Sequence, residues 1–564
     1  MRATIRTIVT GTLAAGLALP FAAQAADQDL QQKLDALSKE VEALKQQTKK
    51  EQEKSLNRWL TIGGDYRFRV DSLRGKTAPY IDVNRTFSFA QDQMNLGFAG
   101  NPVLFGPAVA NFMNFQSAMR NATTYSAANT FLATHGAPGG LLDPANPGGL
   151  FAFAQQTPSY KPKNDTLYTN RLGLDLHAKA TQDVTVNVRL LMYKTFGSNT
   201  DAAVTGSGNP YFADRVGVFD GTLGHIPSSD YVNVDRAYAT WANIGDEPVW
   251  FSVGRRPSTN GIPEHLRLNT ERPGNGGTPA LLVDYAFDGM TLGWAPDIEA
   301  LPGAYGKICY GRGFDSGIEN PAGNTLRDTD MLGVAIVPVD TDPLRIHLQW
   351  NRGFNIFDFP EMRSSAFGDT APSVNLGDID WFGTGVLSTL KKVGPGNLNV
   401  FAEFGLSVTH PNDNVSANAG FQGLMTGSFF NPEAPSDKTG WATYVGARYD
   451  LPTGTKIGAE YNHGSKNWIT FAPAADDMWT AKAGTRGNVY EGYLIQDLNL
   501  KPISSYLSKT FFKVGYQYYD FEYTGSNNWV GAPVKISSLN GQQMQLLTPL
   551  KTAQNIYATF EVKF

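Results

Sequence analysis

From Trp59 onward the chain keeps returning to one rhythm, in which apolar and polar side chains exchange places at every step. In WLTIGGDYRFRVD, Leu60, Ile62, Tyr66, Phe68 and Val70 share a face opposite Thr61, Asp65, Arg67, Arg69 and Asp71. Leu172, Leu174, Leu176 and Ala178 likewise oppose Arg171, Asp175, His177 and Lys179, and Val184, Val186, Val188 and Leu190 oppose Thr185, Asn187 and Arg189. Leu344, Ile346, Leu348 and Trp350 oppose Arg345, His347, Gln349 and Asn351; Phe512, Val514, Tyr516 and Tyr518 oppose Lys513, Gln517 and Tyr519. The segment NIYATFEVKF places Ile556, Ala558, Phe560, Val562 and Phe564 on one side. A period of two marks a strand lying between two environments.

Any half-exposed sheet gives one such segment. Repetition over about 500 residues without evident linkers argues against a string of soluble sandwiches, which divide into domains of roughly 100–150 residues. Joints such as TGSGNP, NPAGNT, HPNDNV and LPTGT separate the strand-like runs. The pattern predicts an all-β fold, a transmembrane antiparallel β-barrel of about 16–18 strands over residues 59–564, with a water-filled lumen. Residues 79–161, rich in Ala, Asn, Phe and Met, break the rhythm and predict a long insert of short helices or hairpins. A second long joint covers 412–440.

Before Trp59 the period differs. Leu30, Leu34, Leu37, Val41 and Leu44 form a seam of alternating four and three, predicting a short coiled-coil helix over 26–58 that oligomerises or docks. Ahead of it, MRATIRT supplies positive charge, IVTGTLAAGLALPFAA an apolar run and AQA a cleavage site, so residues 1–25 read as a secretory signal peptide. No later apolar run is long enough for a transmembrane helix.

Composition sharpens this picture. A net charge of −5 and a pI of about 5.9 give no basic balance for nucleic acid. Mean hydropathy of −0.27 fits strands that contribute polar and apolar residues in equal measure. The single Cys309 excludes an intrachain disulfide framework and any paired-cysteine metal site, and no Cys-x-x-Cys-His is present for haem attachment. No cofactor and no metal site are expected.

Candidate chemistry follows from the faces. In FSVGRRPST, Arg256 shares the face of Ser252 and Gly254 and points to the lumen, whereas Arg255 shares that of Phe251 and Val253 and suits a headgroup region. Arg67, Arg69, Arg171, Arg189, Arg236, Arg256 and Arg345 are candidate pore-lining residues, a positive ladder that would concentrate anions. Asp65 and Asp175 line the same faces, and Asp235 lies close by; they would neutralise part of it. His463 and Ser465 in YNHGS share a strand face and resemble the His-x-Ser element of outer-membrane phospholipases, but the sequence assigns no orienting partner. Acidic DDMW lacks a regular calcium-loop spacing. No enzymatic activity is expected.

The order of signal peptide, short coiled coil, opening WLTIGGDYRFRVD strand, GRRPST segment and aromatic terminus resembles a largely uncharacterised family of outer-membrane porins of metal-reducing and related proteobacteria. The resemblance implies the bacterial outer membrane as location, with lipid around the barrel. Phe564 resembles the insertion signal read by the barrel-assembly machinery. The expected function is a channel for small, anionic solutes, with a homotrimer as the assembly. Some members resemble the barrel component of porin–cytochrome conduits, which implies an alternative role as sheath for a multihaem cytochrome. A lipid hydrolase is the remote alternative.

Overall fold

The computed structural model describes residues 59–195, 232–256, 261–272, 281–283, 285–318, 326–358, 362–365, 368–370, 373–471, 477–500 and 509–564. The expected signal peptide (1–25) and coiled coil (26–58), with Leu30, Leu34, Leu37, Val41 and Leu44, lie outside them.

Alternation becomes long strands. The first four are β1 (Leu60–Thr77), β2 (Lys163–Lys179), β3 (Val184–Thr195) and β4 (Val232–Trp241). Next come β5 (Val249–Arg256), β6 (Phe287–Trp294), β7 (Tyr305–Phe314) and β8 (Thr329–Asp340). They are followed by β9 (Arg345–Phe357), β10 (Asn375–Val393), β11 (Gly396–Pro411) and β12 (Lys438–Asp450). The last are β13 (Thr455–Gly464), β14 (Gly487–Leu498), β15 (Lys509–Phe521) and β16 (Leu550–Lys563). Each pairs antiparallel with its successor, and β16 pairs back on β1 from Asp65↔Lys563 to Thr77↔Leu550, which closes a 16-stranded barrel. Closure leaves no unpaired edge.

Burial decides what the two faces are. On β16, Ile556 is 61 % exposed, whereas Asn555, Tyr557, Thr559 and Glu561 are at most 3 % exposed. On β15, Phe512 and Val514 are each 50 % exposed while Lys513 is at 3 % and Gln517 at 1 %. A water-soluble sheet does the reverse. Apolar residues outside and polar ones inside suit a barrel standing in lipid, and Trp241 and Trp294 at one rim with Trp441 and Tyr490 toward the other suit its interfaces.

The connections are unequal. One end has short turns (180–183, 242–248, 295–304, 341–344, 394–395, 451–454) and shares its side with the start of β1 and the end of β16. Gly394, at φ +60°, adopts the left-handed conformation that the two-residue reversal at 394–395 requires. The other end carries the long segments, including 78–162, 257–286, 412–437 and 465–486.

The insert is helical: α1 (Val83–Gly100), α2 (Pro102–Asn121) and α3 (Tyr125–His135). Asp82, Asn101 and Thr124 cap their N-termini by accepting from the backbone N–H groups of Arg85, Leu104 and Ala127. Val83, Phe87, Phe115 and Phe131 pack against Val415, Ala417, Phe421 and Phe429. Thr123 accepts from Val415, and Tyr125 donates to Asp413, so the insert is docked on loop 412–437.

The interior departs from the expected water-filled tube. Ile262, Leu266 and Leu282 of loop 257–286, with Trp468 and Ile469 of loop 465–486, join inward-facing Met331, Trp381, Phe401 and Tyr444 in one apolar cluster. Trp381 donates its indole N–H to Ile469 O at 2.9 Å, and Trp468 to Ala483 O at 2.7 Å, which satisfies both buried donors. Loops carrying apolar residues fold inward because the inner wall from β8 to β12 offers them apolar partners instead of water.

Candidate functional site in the lumen

Loop 257–286 reaches deep into the barrel. Its described part carries the short helix α4 (Glu264–Leu268), and Asn269 stops it in the left-handed conformation at φ 52°. Leu266 O accepts from Arg448 of β12 at 2.6 Å, and Arg267 O from Lys513 of β15 at 3.3 Å. The Asn269 side chain donates to Asp497 and accepts from Lys456 and Lys509, while Lys563 donates to its carbonyl at 2.9 Å. Arg272 pairs with Asp340 across the interior at 3.1 Å. The loop therefore starts at the long-loop end and is pinned near the short-turn end.

A buried ionic network holds it. Arg267 donates to Asp477 at 2.7 Å and to Glu264 at 2.8 Å. Glu460 and Glu491 stand directly opposite one another on β13 and β14, where two carboxylates would repel. Lys482, from loop 465–486, donates to both, at 2.6 Å in the case of Glu491. Glu491 also accepts from Tyr557 at 2.7 Å and Gln517 at 3.1 Å, and Glu460 from Tyr444 at 2.5 Å. His265 is enclosed beside it; burial, reinforced by Arg448, Arg272 and Arg345, pushes its imidazole down to about 3.

The predicted arginines meet different fates. Asp65 accepts from Arg171 at 2.8 Å and from Arg189; Arg189 also pairs with Asp175 at 2.5 Å and lies 3.7 Å from Asp235, which holds Arg236 at 3.0 Å. These six residues from β1 to β4 form one cluster, so the aspartates do neutralise much of the ladder. Arg67 and Arg69 are buried; Arg69 pairs with Asp71 at 2.7 Å and lies 4.7 Å from the Tyr557 ring centroid. Arg345 stands apart, bonded to Tyr305 and 3.4 Å from Asp340. Among the described residues Arg256 bonds the hydroxyls of Ser252 and Thr291 on the inner face, whereas Arg255 pairs with Asp288 outside it, as their alternation predicted. Asp175 keeps half of its side-chain exposure and Arg236 a quarter, so the wetter inner surface among the described residues runs along β2 to β5, across from the docked loop.

Sequence reading did not find Glu264, Arg267 or Lys482, since loop residues carry no periodic mark, and it met Asp477 only within DDMW, weighed as a calcium turn and not as an ion-pair partner. Glu460 and Glu491 were visible as polar-face acids, but not as facing neighbours.

A family model described as "Protein of unknown function (DUF3373)" matches residues 161–564. The chain belongs to the DUF3373 family. Among curated proteins none matches this DUF3373 chain. Solved structures similar to it include OmpT of Vibrio cholerae in trimer form, at 9 % identity and TM-score 0.35, covering 90 % of this chain and 100 % of that one. An anion-selective porin from Comamonas acidovorans gives 10 % and 0.37, covering 90 % and 99 %. OmpF of Salmonella typhi, in complex with daunomycin, gives 10 % and 0.37, covering 89 % and 97 %.

Three further predicted residues lie elsewhere on the DUF3373 barrel. His463 faces outward against Trp441, at 5.0 Å between ring centroids, and its Nδ1 meets Asn488 Oδ1 at 3.0 Å. Ser465 Oγ accepts from the Trp441 backbone at 2.8 Å, and no hydrogen bond joins it to His463, so the nucleophile–base contact of a hydrolase is unmade. Phe564 exchanges backbone hydrogen bonds with Gly64 and exposes its ring.

Proposed function

We propose that this DUF3373 protein is an outer-membrane pore for small, anionic solutes rather than an enzyme, narrowed by loop 257–286. The observation that carries the reading is a closed 16-stranded wall with an apolar outside and a charged inside, crossed by one docked loop. Arg256, Arg236, Arg171 and Arg189 would set its preference, with Asp65 and Asp175 limiting it. An electron-conduit sheath is less well supported, because the barrel's own loops occupy the wall from β8 to β12 that a cytochrome would need. A homotrimer, and assembly of Phe564 by the barrel-assembly machinery, belong to the same proposal.

The test is single-channel recording of the purified protein in planar bilayers. Current should flow with anions preferred, and the reversal potential should shift toward cations in Arg236→Gln and Arg256→Gln. A barrel that inserts and carries no current, alone or after removal of 261–272, would reject the pore.

A further inference from the structure

A cavity of about 60 Å³ opens on the inner wall between β5 and β9. One water needs about 10–15 Å³ by this measure, so a group of several atoms fits. Its lining combines the polar Arg256, Lys307, Gln349 and Asn351 with Cys309 and the apolar Val283, Phe287 and Met331. None of the described residues lining it is acidic.

The polar side is built rather than incidental. Gln349 Nε2 donates to Asn351 Oδ1 at 3.1 Å, which fixes the amide and leaves Nδ2 as its remaining donor. Asn351 is only 7 % exposed, and its Nδ2 has no acceptor among the described residues. A buried amide donor left unmade is destabilising, so an acceptor belongs there. Gly333 makes the arrangement possible, since a Cβ there would stand 2.4 Å from Asn351 Oδ1. Ser252 and Thr291, both essentially buried, orient the Arg256 guanidinium through neutral hydroxyls, and no acid pairs with it among the described residues. A guanidinium fork and an amide N–H beside apolar Val283, Phe287 and Met331 match a planar carboxylate with a short hydrocarbon tail.

We infer that this cavity is a binding site for a short-chain monocarboxylate, held by Arg256 and Asn351. The inference deepens the pore reading by naming a solute class. Cys309, the single thiol of the chain, supplies a direct readout in detergent. The probes are methanethiosulfonates with a sulfonate or a trimethylammonium tail, with propionate as competitor. The anionic reagent should modify Cys309 at least tenfold faster than the cationic one, and propionate should slow it saturably. Arg256→Gln should bring the two rates within about threefold, and Asn351→Leu should weaken propionate protection while retaining the charge preference. Equal rates in the unaltered protein, a cationic preference, or no effect of propionate would overturn the assignment. A thiol that reacts with neither reagent would overturn it too, because nothing would then enter the cavity. Protection without channel current would leave the site standing and sink the pore; current without protection would do the opposite.

Discussion

Val514 stands half exposed on β15 between Lys513 and the glycine at 515, midway along a 13-residue strand. Its surroundings are lipid, so Val514→Arg should destabilise the barrel by about 2–4 kcal/mol, measured by urea unfolding into vesicles. Val514→Leu should change it little, and an arginine tolerated without loss would mean that this face meets water. At this scale the sequence was informative about faces and silent about partners. The alternation assigned Arg256 inward and Arg255 outward, and both lie there. It could not tell that Asp65 collects Arg171 and Arg189, because those contacts join residues more than 100 positions apart. Asn351 was readable as a polar-face residue, yet its orphan amide depends on Gln349 and on the space above Gly333.

The element that matters most is loop 257–286, and its hold depends on Glu491. Removing one partner from a buried ion pair costs about 3–5 kcal/mol because the other charge is stranded. Glu491→Gln should therefore leave Lys482 and Arg267 short of a carboxylate, free the loop and raise mean conductance. An unchanged conductance trace would show that the loop is held elsewhere. His265 adds a pH dependence of definite sign. Its docked form favours neutral imidazole, pushed from 6.5 to about 3 by burial among Arg448, Arg272 and Arg345, while Glu264 and Arg267 flank it on α4. Docking is strongest above pH 6.5 and weakens as pH falls from 6.5 toward 3, where the released loop takes up a proton that the docked one refuses. Conductance should rise across that window in the unaltered protein and rise much less in His265→Asn. A five-residue helix with no amphipathic repeat gave the sequence reading nothing to find.

At the scale of the molecule, the insert and the loop have separate jobs. Helices α1 to α3 rest on loop 412–437, whereas loop 257–286 contacts the inner wall itself. Replacing 83–153 with a short flexible linker should leave conductance nearly unchanged, and replacing 261–272 should increase it severalfold. The reverse ranking, read from single-channel amplitudes, would make the helices the constriction. The large plan was legible in advance. A period of two, repeated without linkers, implied a barrel of about 16–18 strands, and the wall closes with the lower number. The broken rhythm over 79–161 announced an insert of short helices or hairpins without choosing between them, and 83–135 is helical. The filled half of the lumen did not follow, because closure rules describe the wall and say nothing of loops that return through it.

The pinned loop also sets an order of events in time. Its partners are Asp477, Lys456, Lys513 and Lys563, which lie 210, 187, 246 and 294 residues from the groups they bind. Until the last strands have been threaded into place α4 has Arg448 and the apolar wall of β8 to β12 but lacks most of its ionic partners, so a nascent barrel is a loosely stoppered one and its stopper tightens with the seam between β1 and β16. Cells making this protein would pass through a brief leaky stage with every copy inserted, and a chain cut short after β12 would lengthen that stage. Sensitivity to a small toxic anion, scored during a pulse of synthesis and again after it ends, would time the stoppering.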